Sequence, residues 1–487
     1  MDTKQQSTSP DSRPPVVAIL GHVDHGKTTL LDSIRKTNVA TSEHGGITQA
    51  IGAYQIEHPT KEGKQKITFI DTPGHAAFAR MRARGATAAD IAILVVAAND
   101  GVMPQTKESI AHIKDAGVPY IVALTKSDLP QAMPGKVKQQ LLKEGVMLEG
   151  LGGDVPAISV SAKTGEGLDD LLDMILLVSQ ITGITGSLQD PLEAVVIEAK
   201  RDRRKGVVVA VVVRSGTLSV GDEITAETAG GKVRALTTDT GENVKSALPG
   251  MPVEILGFTD IPVVGSKVVK KSQLAIPKQA VAAVKQESAI MPQMEPATSR
   301  LALILKADTA GSLEAIKQSL PTSDIMLILS ATGDPTETDV LLGKTARAII
   351  VGFNTRVSSS VARLAEAEGV LIKTYTLIYE LLDELEEAIA LFKQGKPQEL
   401  ILGKAQVQAV FPFDRKTVAG SKVLSGRIAK GDRVRVERGD AIIGEGRVVS
   451  LRRGKEDVGK AQTGEECGIL LSVPLDFEPQ DVILSVR

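Results

Sequence analysis

Tryptophan is absent from the chain, and aromatic residues make up only 2% of it. Proteins that bind single-stranded nucleic acid stack bases on aromatic side chains, so this mode of binding is not expected to dominate here. The one cysteine, Cys467, excludes a disulfide within the chain and fits a reducing cytoplasm. No apolar run approaches the roughly 20 residues that a membrane-spanning helix needs.

With 487 residues and 42% hydrophobic content, the chain is too long for a single core, and three to five domains are expected. Residues 1–15 are polar and lack both a signal-peptide core and the Arg-rich, acid-poor pattern of a transit peptide. We therefore expect a disordered lead-in over residues 1–15 and a cytoplasmic protein.

A glycine-bounded loop near the N-terminus is the strongest chemical signal that is present. It follows the apolar run Val16–Leu20 and precedes an amphipathic pattern, which is the strand, loop and helix setting of a phosphate-binding loop. Backbone N–H groups of such a loop face a polyphosphate, its lysine reaches the β- and γ-phosphates, and its threonine ligates Mg²⁺. A chance glycine loop is the alternative, and this setting disfavours it. The residues are Gly21, His22, Val23, Asp24, His25, Gly26, Lys27 and Thr28.

A second phosphate-related pattern follows the predicted strand Lys66–Ile70. A carboxylate at a strand end can hold Mg²⁺ through water, and a glycine N–H can contact a γ-phosphate and change conformation when that phosphate leaves. Taken alone, this stretch is also an ordinary turn. Together with the first loop, it predicts a phosphate-sensing segment formed by Asp71, Thr72, Pro73, Gly74 and His75.

Two later segments predict that the base is guanine. The Asp128 carboxylate can accept two hydrogen bonds from the N1 and N2 edge of guanine, a donor pair that adenine lacks. The Lys126 stem is expected to pack along the base, and a backbone N–H of a second segment to reach the guanine carbonyl. Asn is usual where Thr125 stands, so retained guanine preference with weaker affinity is expected. The segments are Thr125, Lys126, Ser127, Asp128, and Ser161, Ala162, Lys163.

Apolar strands alternate with helical patterns over residues 16–185, which predicts a doubly wound, mainly parallel sheet in a P-loop GTPase domain. Short, regularly spaced strands without helix signals predict a β-barrel over residues 190–270. A proline-interrupted linker is predicted over residues 271–297.

A second α/β domain without a phosphate loop is predicted over residues 298–375 as a spacer or docking domain. Apolar residues at helical spacing then predict a connecting helix over residues 376–395. The helix could act as a lever, although packing on its own domain is the simpler interpretation. Residues 398–487 predict a C-terminal β-barrel. The fold class is therefore multidomain α/β plus β.

Charge does not by itself predict RNA binding, because the net charge is −2. Residues 411–460 nevertheless hold 13 Lys and Arg against 7 Asp and Glu, and Lys200–Lys205 is a second basic cluster. Such surpluses can neutralise phosphates, but solvated barrel and hairpin surfaces are equally good interpretations.

Three further stretches narrow the interpretation: His44–Tyr54, Leu305–Ser312 and Gly464–Gly468. With the motifs above, and with the His-Val-Asp-His element at His22–His25, they resemble the bacterial translation initiation factor 2 family of translational GTPases from about Val16 onward. The long N-terminal extension common in that family is missing, so we expect a short member or a core piece.

The resemblance implies that the GTP-bound protein places formyl-methionyl initiator tRNA on the small ribosomal subunit, promotes large-subunit joining, and leaves after hydrolysis. It implies that Thr48 ligates Mg²⁺ and that His75 orients the attacking water, past an apolar gate of Val23 and Ile47. A surface turn histidine is the alternative for His75, disfavoured by its place after Gly74. Other initiation factors are further candidate partners, and a monomer is expected.

The resemblance also implies that the last barrel recognises the formylated aminoacyl end. Gly454 stands where an aromatic residue is usual and Ser421 where a cysteine is usual, so the resemblance supports this pocket less strongly than the nucleotide site. Ala50 stands where His is common and is assigned no chemical role. The pocket residues are Arg452, Arg453, Lys455, Glu466, Cys467 and Gly468.

Two other functions compete with this one. An elongation-type factor delivering other aminoacyl-tRNAs is disfavoured because an α/β unit separates the predicted barrels. A GTP-regulated ribosome or RNA-binding module without a tRNA role is the other alternative.

Overall fold

The structure is a computed structural model. It describes residues 13–36, 48–49, 51–61, 63–227, 229–273, 300–393, 401–413, 416–439, 441–454, 456–473 and 475–486. Most of the predicted lead-in, the stretch 44–47, Ala50, nearly all of the predicted linker, and Lys455 lie outside these residues. Among the described residues, no helix is both long and apolar enough to cross a membrane.

Contacts divide the chain into two compact units. The first comprises residues 1–339, 348–361 and 372–385, and the second comprises residues 340–347, 362–371 and 386–487. The predicted domain boundaries stay predictions.

The N-terminal domain contains a six-stranded sheet in the order β2-β3-β1-β4-β5-β6, in which β2 and β3 are antiparallel and the other neighbours parallel. Every residue of β1 and β4 is buried, because helices cover both faces of the sheet. The strands are β1 (Val16–Gly21), β2 (Gly52–Thr60), β3 (Gly63–Asp71), β4 (Ile91–Ala97), β5 (Tyr120–Thr125) and β6 (Ala157–Ser159). The helices are α1 (Lys27–Arg35), α2 (Ala79–Ala88), α3 (Pro104–Ala116), α4 (Pro134–Lys143) and α5 (Leu168–Thr182), with a 3₁₀ turn at Ala76–Phe78.

This sheet confirms the predicted doubly wound fold, and the predicted strands Val16–Leu20 and Lys66–Ile70 lie within β1 and β3. The edge strand β2 was not predicted, since its sequence mixes polar and apolar residues and contains a proline. Because β1, β3 and β5 are parallel, their carboxyl ends meet at one edge, where ligands of such sheets bind.

The structure at Arg13 differs from the disorder that was predicted for residues 1–15. Its guanidinium is buried and pairs with Asp90, with Nη1 to Oδ2 at 2.6 Å and Nη2 to Oδ1 at 2.7 Å. A buried bidentate ion pair fixes the backbone here, so the disordered segment cannot extend through residues 13–15.

The next region is the predicted β-barrel. Six strands close in the order β10-β15-β7-β8-β14-β11, since β10 also pairs with β11, and alternate valines of the run Val207–Val213 enter its core. The strands are β7 (Glu193–Asp202), β8 (Gly206–Ser215), β9 (Leu218–Ser219), β10 (Glu223–Ala226), β11 (Ala229–Thr237), β12 (Asn243–Val244), β13 (Ser246–Ala247), β14 (Pro252–Phe258) and β15 (Lys267–Lys270), followed by a 3₁₀ turn at Lys271–Gln273.

The second α/β region has a parallel sheet in the order β17-β16-β18-β19. Its strands are β16 (Leu301–Ala307), β17 (Ile325–Thr332), β18 (Ile349–Phe353) and β19 (Ile372–Tyr375), and the helices are α6 (Ala310–Ser319), α7 (Glu337–Ala346), α8 (Ser359–Glu368) and α9 (Ile378–Lys393). The helix α9 matches the predicted connecting helix, whereas α7, α8 and β19 were not predicted.

The C-terminal region is the second predicted β-barrel, closed in the order β20-β27-β22-β23-β26-β21 by pairing between β20 and β21. Cys467 is buried in its core. The strands are β20 (Ile401–Phe413), β21 (Lys416–Ala429), β22 (Arg433–Arg438), β23 (Ala441–Arg453), β24 (Glu456–Asp457), β25 (Lys460–Gln462), β26 (Glu466–Leu471) and β27 (Val482–Val486).

Candidate functional site

The phosphate-loop candidate connects β1 directly to α1. Gly21 and Gly26 have φ angles of 150° and 82°, and a Cβ on Gly21 would collide with the Val95 carbonyl, so both positions favour glycine. Asp24 adopts φ 62°, which Asp tolerates better than most residues. The loop therefore delivers Lys27 as the first residue of α1, slightly earlier in the chain than the predicted helical pattern.

Lys27 lies over this loop. Its Nζ donates to the Gly21 carbonyl at 3.0 Å and to the His22 carbonyl at 2.6 Å. Burial lowers the pKa of Lys27 to about 8, against the opposing effect of Asp71. The ammonium therefore occupies the position from which it would meet an anion.

The phosphate-sensing segment lies against the same lysine. A Cβ on Gly74 would lie 2.6 Å from Lys27 Nζ and 2.9 Å from Val23 Cγ2, so glycine is needed for this approach. Upstream, the Thr72 hydroxyl donates to the Ile19 carbonyl at 2.6 Å and fixes the start of the segment to β1. The two predicted phosphate motifs are thus in contact.

The hydroxyls of Thr28 and Thr48, the two predicted Mg²⁺ ligands, are 2.7 Å apart. Asp71 is buried and acts electrostatically on Lys27. Two hydroxyls with a nearby carboxylate are oxygen ligands of the hard type that Mg²⁺ prefers, so these residues fit the ion.

Sequence reasoning missed Arg82, which organises the phosphate-sensing segment. Arg82 is fully buried on α2, and its Nη2 donates to Glu108 Oε1 at 2.6 Å. Its sequence position carries no motif, and only the fold brings it beneath this segment. Its Nη1 donates to three successive carbonyls at 3.2, 3.2 and 2.5 Å, those of Pro73, Gly74 and His75.

His75 is nearly buried, and its Nδ1 accepts the Ala77 N–H at 2.9 Å. Burial lowers the pKa of His75, and the Arg82 charge lowers it further, so the imidazole is neutral at pH 7. With Nδ1 accepting, the neutral ring carries its proton on Nε2.

Thr125 joins the predicted base segment to the phosphate loop. Its hydroxyl donates to the His25 carbonyl at 2.6 Å, and Thr125 is buried. The hydroxyl thereby makes a local contact at the position where Asn is usual.

Burial, followed by the charge of His22, lowers the pKa of His25 to about 4, so the His25 imidazole is neutral.

The remaining base residues meet at the carboxyl ends of β5 and β6. Asp128 Oδ1 accepts from the Ser161 hydroxyl at 2.8 Å, and Ser127 N donates to the Val160 carbonyl at 3.3 Å. Lys126 has φ 55°, with its Nζ 3.4 Å from Asp100 Oδ2.

The second base segment, which contains Ala162, is tied to α1. Ser33 of α1 donates to the Ala162 carbonyl at 2.7 Å, and the neighbouring Lys163 is exposed. The structure therefore brings all four predicted nucleotide segments to one edge of the sheet. Val23 N donates to Gln105 Oε1 at 2.8 Å, whereas its predicted gate partner Ile47 lies outside the described residues.

A separate cleft of about 610 Å³ lies on the C-terminal barrel. Arg452, Glu466, Cys467 and Gly468 of the predicted pocket line it, together with both departing positions, Ser421 and Gly454. Apolar walls come from Phe411, Val418 and Leu470.

Two predicted pocket residues are not among those lining the cleft. Arg453 pairs with Glu465 at 3.0 Å, and Lys455 is outside the described residues. Burial and the charge of Glu465 raise the pKa of Cys467 to about 11, so its thiol is uncharged.

Several residues of both basic clusters pair with carboxylates of the protein. Arg433 and Arg435 both contact Glu445, and Arg438 contacts Asp481 at 2.8 Å. In the other cluster, Lys200 contacts Glu254 and Arg203 contacts Asp334. Such pairs favour the interpretation of both clusters as solvated protein surface.

Comparisons with known proteins agree with the geometry. Residues 13–180 match the family model "Elongation factor Tu GTP binding domain", 191–271 match "Elongation factor G domain 2", and 277–386 match "Translation-initiation factor 2". Translation initiation factor IF-2 of Carboxydothermus hydrogenoformans is 45% identical over 503 residues, covering 99% of this chain and 60% of that protein. The chain belongs to the translation initiation factor 2 family of translational GTPases.

Translation initiation factor IF-2 of Moorella thermoacetica is also 45% identical, and the match spans 97% of this chain and 54% of that protein. The chain thus spans a little over half the length of these translation initiation factor 2 relatives. Among solved structures, GDP-bound aIF5B from Aeropyrum pernix matches with 27% identity and a TM-score of 0.44, covering 98% of this chain and 92% of that chain.

Proposed function

We propose that this member of the translation initiation factor 2 family binds GTP with Mg²⁺, places formyl-methionyl initiator tRNA on the small ribosomal subunit, and promotes joining of the large subunit. It hydrolyses GTP when the ribosome stimulates it, and then leaves. The observation that carries this proposal is the convergence of the phosphate loop, the phosphate-sensing segment and the guanine segment at one sheet edge.

The phosphates are held by the loop N–H groups and by Lys27, whose present partners are two loop carbonyls that an anion can replace. Thr28, Thr48 and, through water, Asp71 hold Mg²⁺, which neutralises charge on the phosphates. Asp128 accepts from the guanine edge, and the Ser161 hydroxyl orients that carboxylate.

Hydrolysis depends on positioning and charge stabilisation rather than on covalent chemistry. His75 is the residue that orients the attacking water, and the buried Arg82 sets its backbone. The neutral imidazole can accept a proton from water once its ring leaves the Ala77 N–H, or it can donate a hydrogen bond from Nε2.

The C-terminal cleft takes the formyl-methionyl end of initiator tRNA. Its apolar walls, Val418 and Leu470, suit the methionine side chain, while Arg452 can pair with a phosphate. Ser421 and Gly454 present less apolar surface than the usual cysteine and aromatic residue, so weaker discrimination of the formyl group is part of the proposal.

The test measures protection of the aminoacyl ester of initiator tRNA by the full chain with GTP. Protection is the slowing of ester hydrolysis relative to the same tRNA without protein. Greater protection of formyl-methionyl-tRNA than of methionyl-tRNA supports the proposal. Val418→Asp, which adds a charge to the apolar wall, should abolish the difference in protection. Equal protection of both forms favours the elongation-type factor. Absence of protection of either form favours the GTP-regulated RNA-binding module.

A further inference from the structure

The ring of Tyr379, in the first turn of α9, lies edge-to-face against the His75 imidazole. The ring centroids are 4.1 Å apart with an interplanar angle of 75°. His75 is 9% exposed, whereas Tyr379 is 44% exposed. Tyr379 therefore stays partly open to solvent while its ring packs against the buried histidine.

The same turn of α9 is held by a residue adjacent to a proposed Mg²⁺ ligand. Gln49, next to Thr48, accepts the Ile378 N–H on Oε1 at 3.1 Å and donates from Nε2 to the Thr376 carbonyl at 2.9 Å. Gln49 is buried, and Ile378 N–H is one of the helix-start donors that need a partner outside the helix. The start of α9 is thus attached to both nucleotide-sensing segments.

The remaining neighbours keep the imidazole in this orientation. Nδ1 is occupied by the Ala77 N–H, and Phe78 presents a second ring with its centroid 5.9 Å from that of His75. Among the described residues, the charged group that acts on His75 is Arg82 of α2, while Asp24 of the phosphate loop acts on Tyr379. With Nδ1 bonded to the backbone and two aromatic rings packed against it, the imidazole is held in one orientation.

We propose that Tyr379 is a positioning residue that holds His75 in a covered, resting orientation, and that undocking of the first turn of α9 releases His75 for GTP hydrolysis. The second half of this statement rests on the proposed function. The first half concerns the ring contact between Tyr379 and His75 itself.

The contact is tested by titrating His75 by NMR in the full chain without nucleotide, using histidine labelled at Cε1 and the His75→Gln spectrum for assignment. Tyr379→Ala should raise the His75 pKa by about half a unit or more, because water reaches the ring. Tyr379→Phe keeps the ring and should restore the wild-type pKa. Glu380→Ala, an exposed change on the same turn, controls for effects on the helix.

GTP hydrolysis without ribosomes is the second readout. Tyr379→Ala should increase kcat about fivefold or more and leave the GTP affinity unchanged. This increase in kcat is a modest part of the rate enhancement that a positioned acid or base contributes. Gln49→Ala, which removes the attachment of the same turn, should shift the rate in the same direction, while Glu380→Ala should leave it unchanged.

An unchanged His75 pKa in Tyr379→Ala would overturn the contact, and a raised pKa with an unchanged ribosome-free rate would overturn its role in hydrolysis. A wild-type chain that binds GTP yet never hydrolyses it on ribosomes would refute the proposed function instead. The titration would still decide the contact in that case.

Discussion

The Thr125 hydroxyl donates to the His25 carbonyl at 2.6 Å, so one buried hydrogen bond ties the guanine segment to the phosphate loop. Thr125→Val keeps the shape of the side chain but leaves that carbonyl without its donor. A loss of about 1–2 kcal/mol in GDP binding is expected. Isothermal calorimetry checks this, with Thr125→Ser as the variant that keeps the hydroxyl. Equal GDP affinity of the Thr125→Val and Thr125→Ser variants would show that this hydrogen bond does not support nucleotide binding.

Asp128→Asn preserves shape and exchanges a carboxylate oxygen for an amide. The amide N–H would face the N1 and N2 donors of guanine, which is an unfavourable pairing of donors. The preference should therefore move from GTP towards xanthosine triphosphate. Competition binding with both nucleotides measures the change, and Asp115→Asn, an exposed acidic position on α3, is the control. Unchanged nucleotide choice would mean that Asp128 does not contact the base.

His75→Ala should bind GTP as the wild type does and lose ribosome-stimulated hydrolysis by about 10²-fold or more. The reason is that the phosphates are held elsewhere, by Lys27 and the loop. Single-turnover phosphate release on ribosomes, alongside GTP affinity, separates the two effects. Wild-type turnover in this variant would remove His75 from the mechanism.

Arg82→Met removes a fully buried guanidinium, and with it one donor to Glu108 and the side-chain donor to the carbonyls of Pro73, Gly74 and His75. Destabilisation of about 3–5 kcal/mol is expected. Arg80→Met is the matched control, because Arg80 lies on the same helix, is two-thirds exposed and pairs with Glu314 at the surface. Thermal unfolding should separate the two variants, and similar melting temperatures would contradict the assignment.

Glu198 links stability to pH. It is 6% exposed, its Oε1 accepts the N–H groups of Ala199 and Gly311 at 2.9 and 3.1 Å, and burial raises its pKa to about 7. Because the folded-state pKa lies above the unfolded value, this group favours the folded state at low pH, and that contribution is lost as pH rises from about 4.5 through about 7.

Glu198→Gln keeps an acceptor and cannot ionise, so it should flatten the fall in melting temperature over that pH range and raise stability at pH 8. Melting curves between pH 5 and pH 8 test this, with Glu254→Gln as a more exposed control on the same barrel. Parallel curves for wild type and Glu198→Gln would exclude the carboxyl as the cause.

Much of the fold follows from local pattern. Runs such as Val16–Leu20 are apolar throughout because both faces of the sheet are covered, and turn residues mark the barrels. The strand β2 was not predicted because edge strands tolerate polar residues, and α7 was not predicted because its apolar periodicity is weak.

The motifs of the proposed nucleotide site are short local patterns, so the sequence indicates them, and their binding of nucleotide stays a prediction. The contact of Tyr379 with His75 could not be predicted because it joins segments distant in sequence. Arg82 lies only seven to nine residues from its carbonyl partners, but it belongs to no motif, and the turn between them sets the contact.

Asp90 is bound from two sides, by Arg13 at 2.6 Å and by Arg214 of the first barrel at 2.7 Å. Arg214 also donates to the carbonyl of Ala88, the final residue of α2. The barrel is therefore anchored to the far end of the very helix that carries Arg82. A rotation of α2 that preserves these pairs would therefore move the barrel together with the helix.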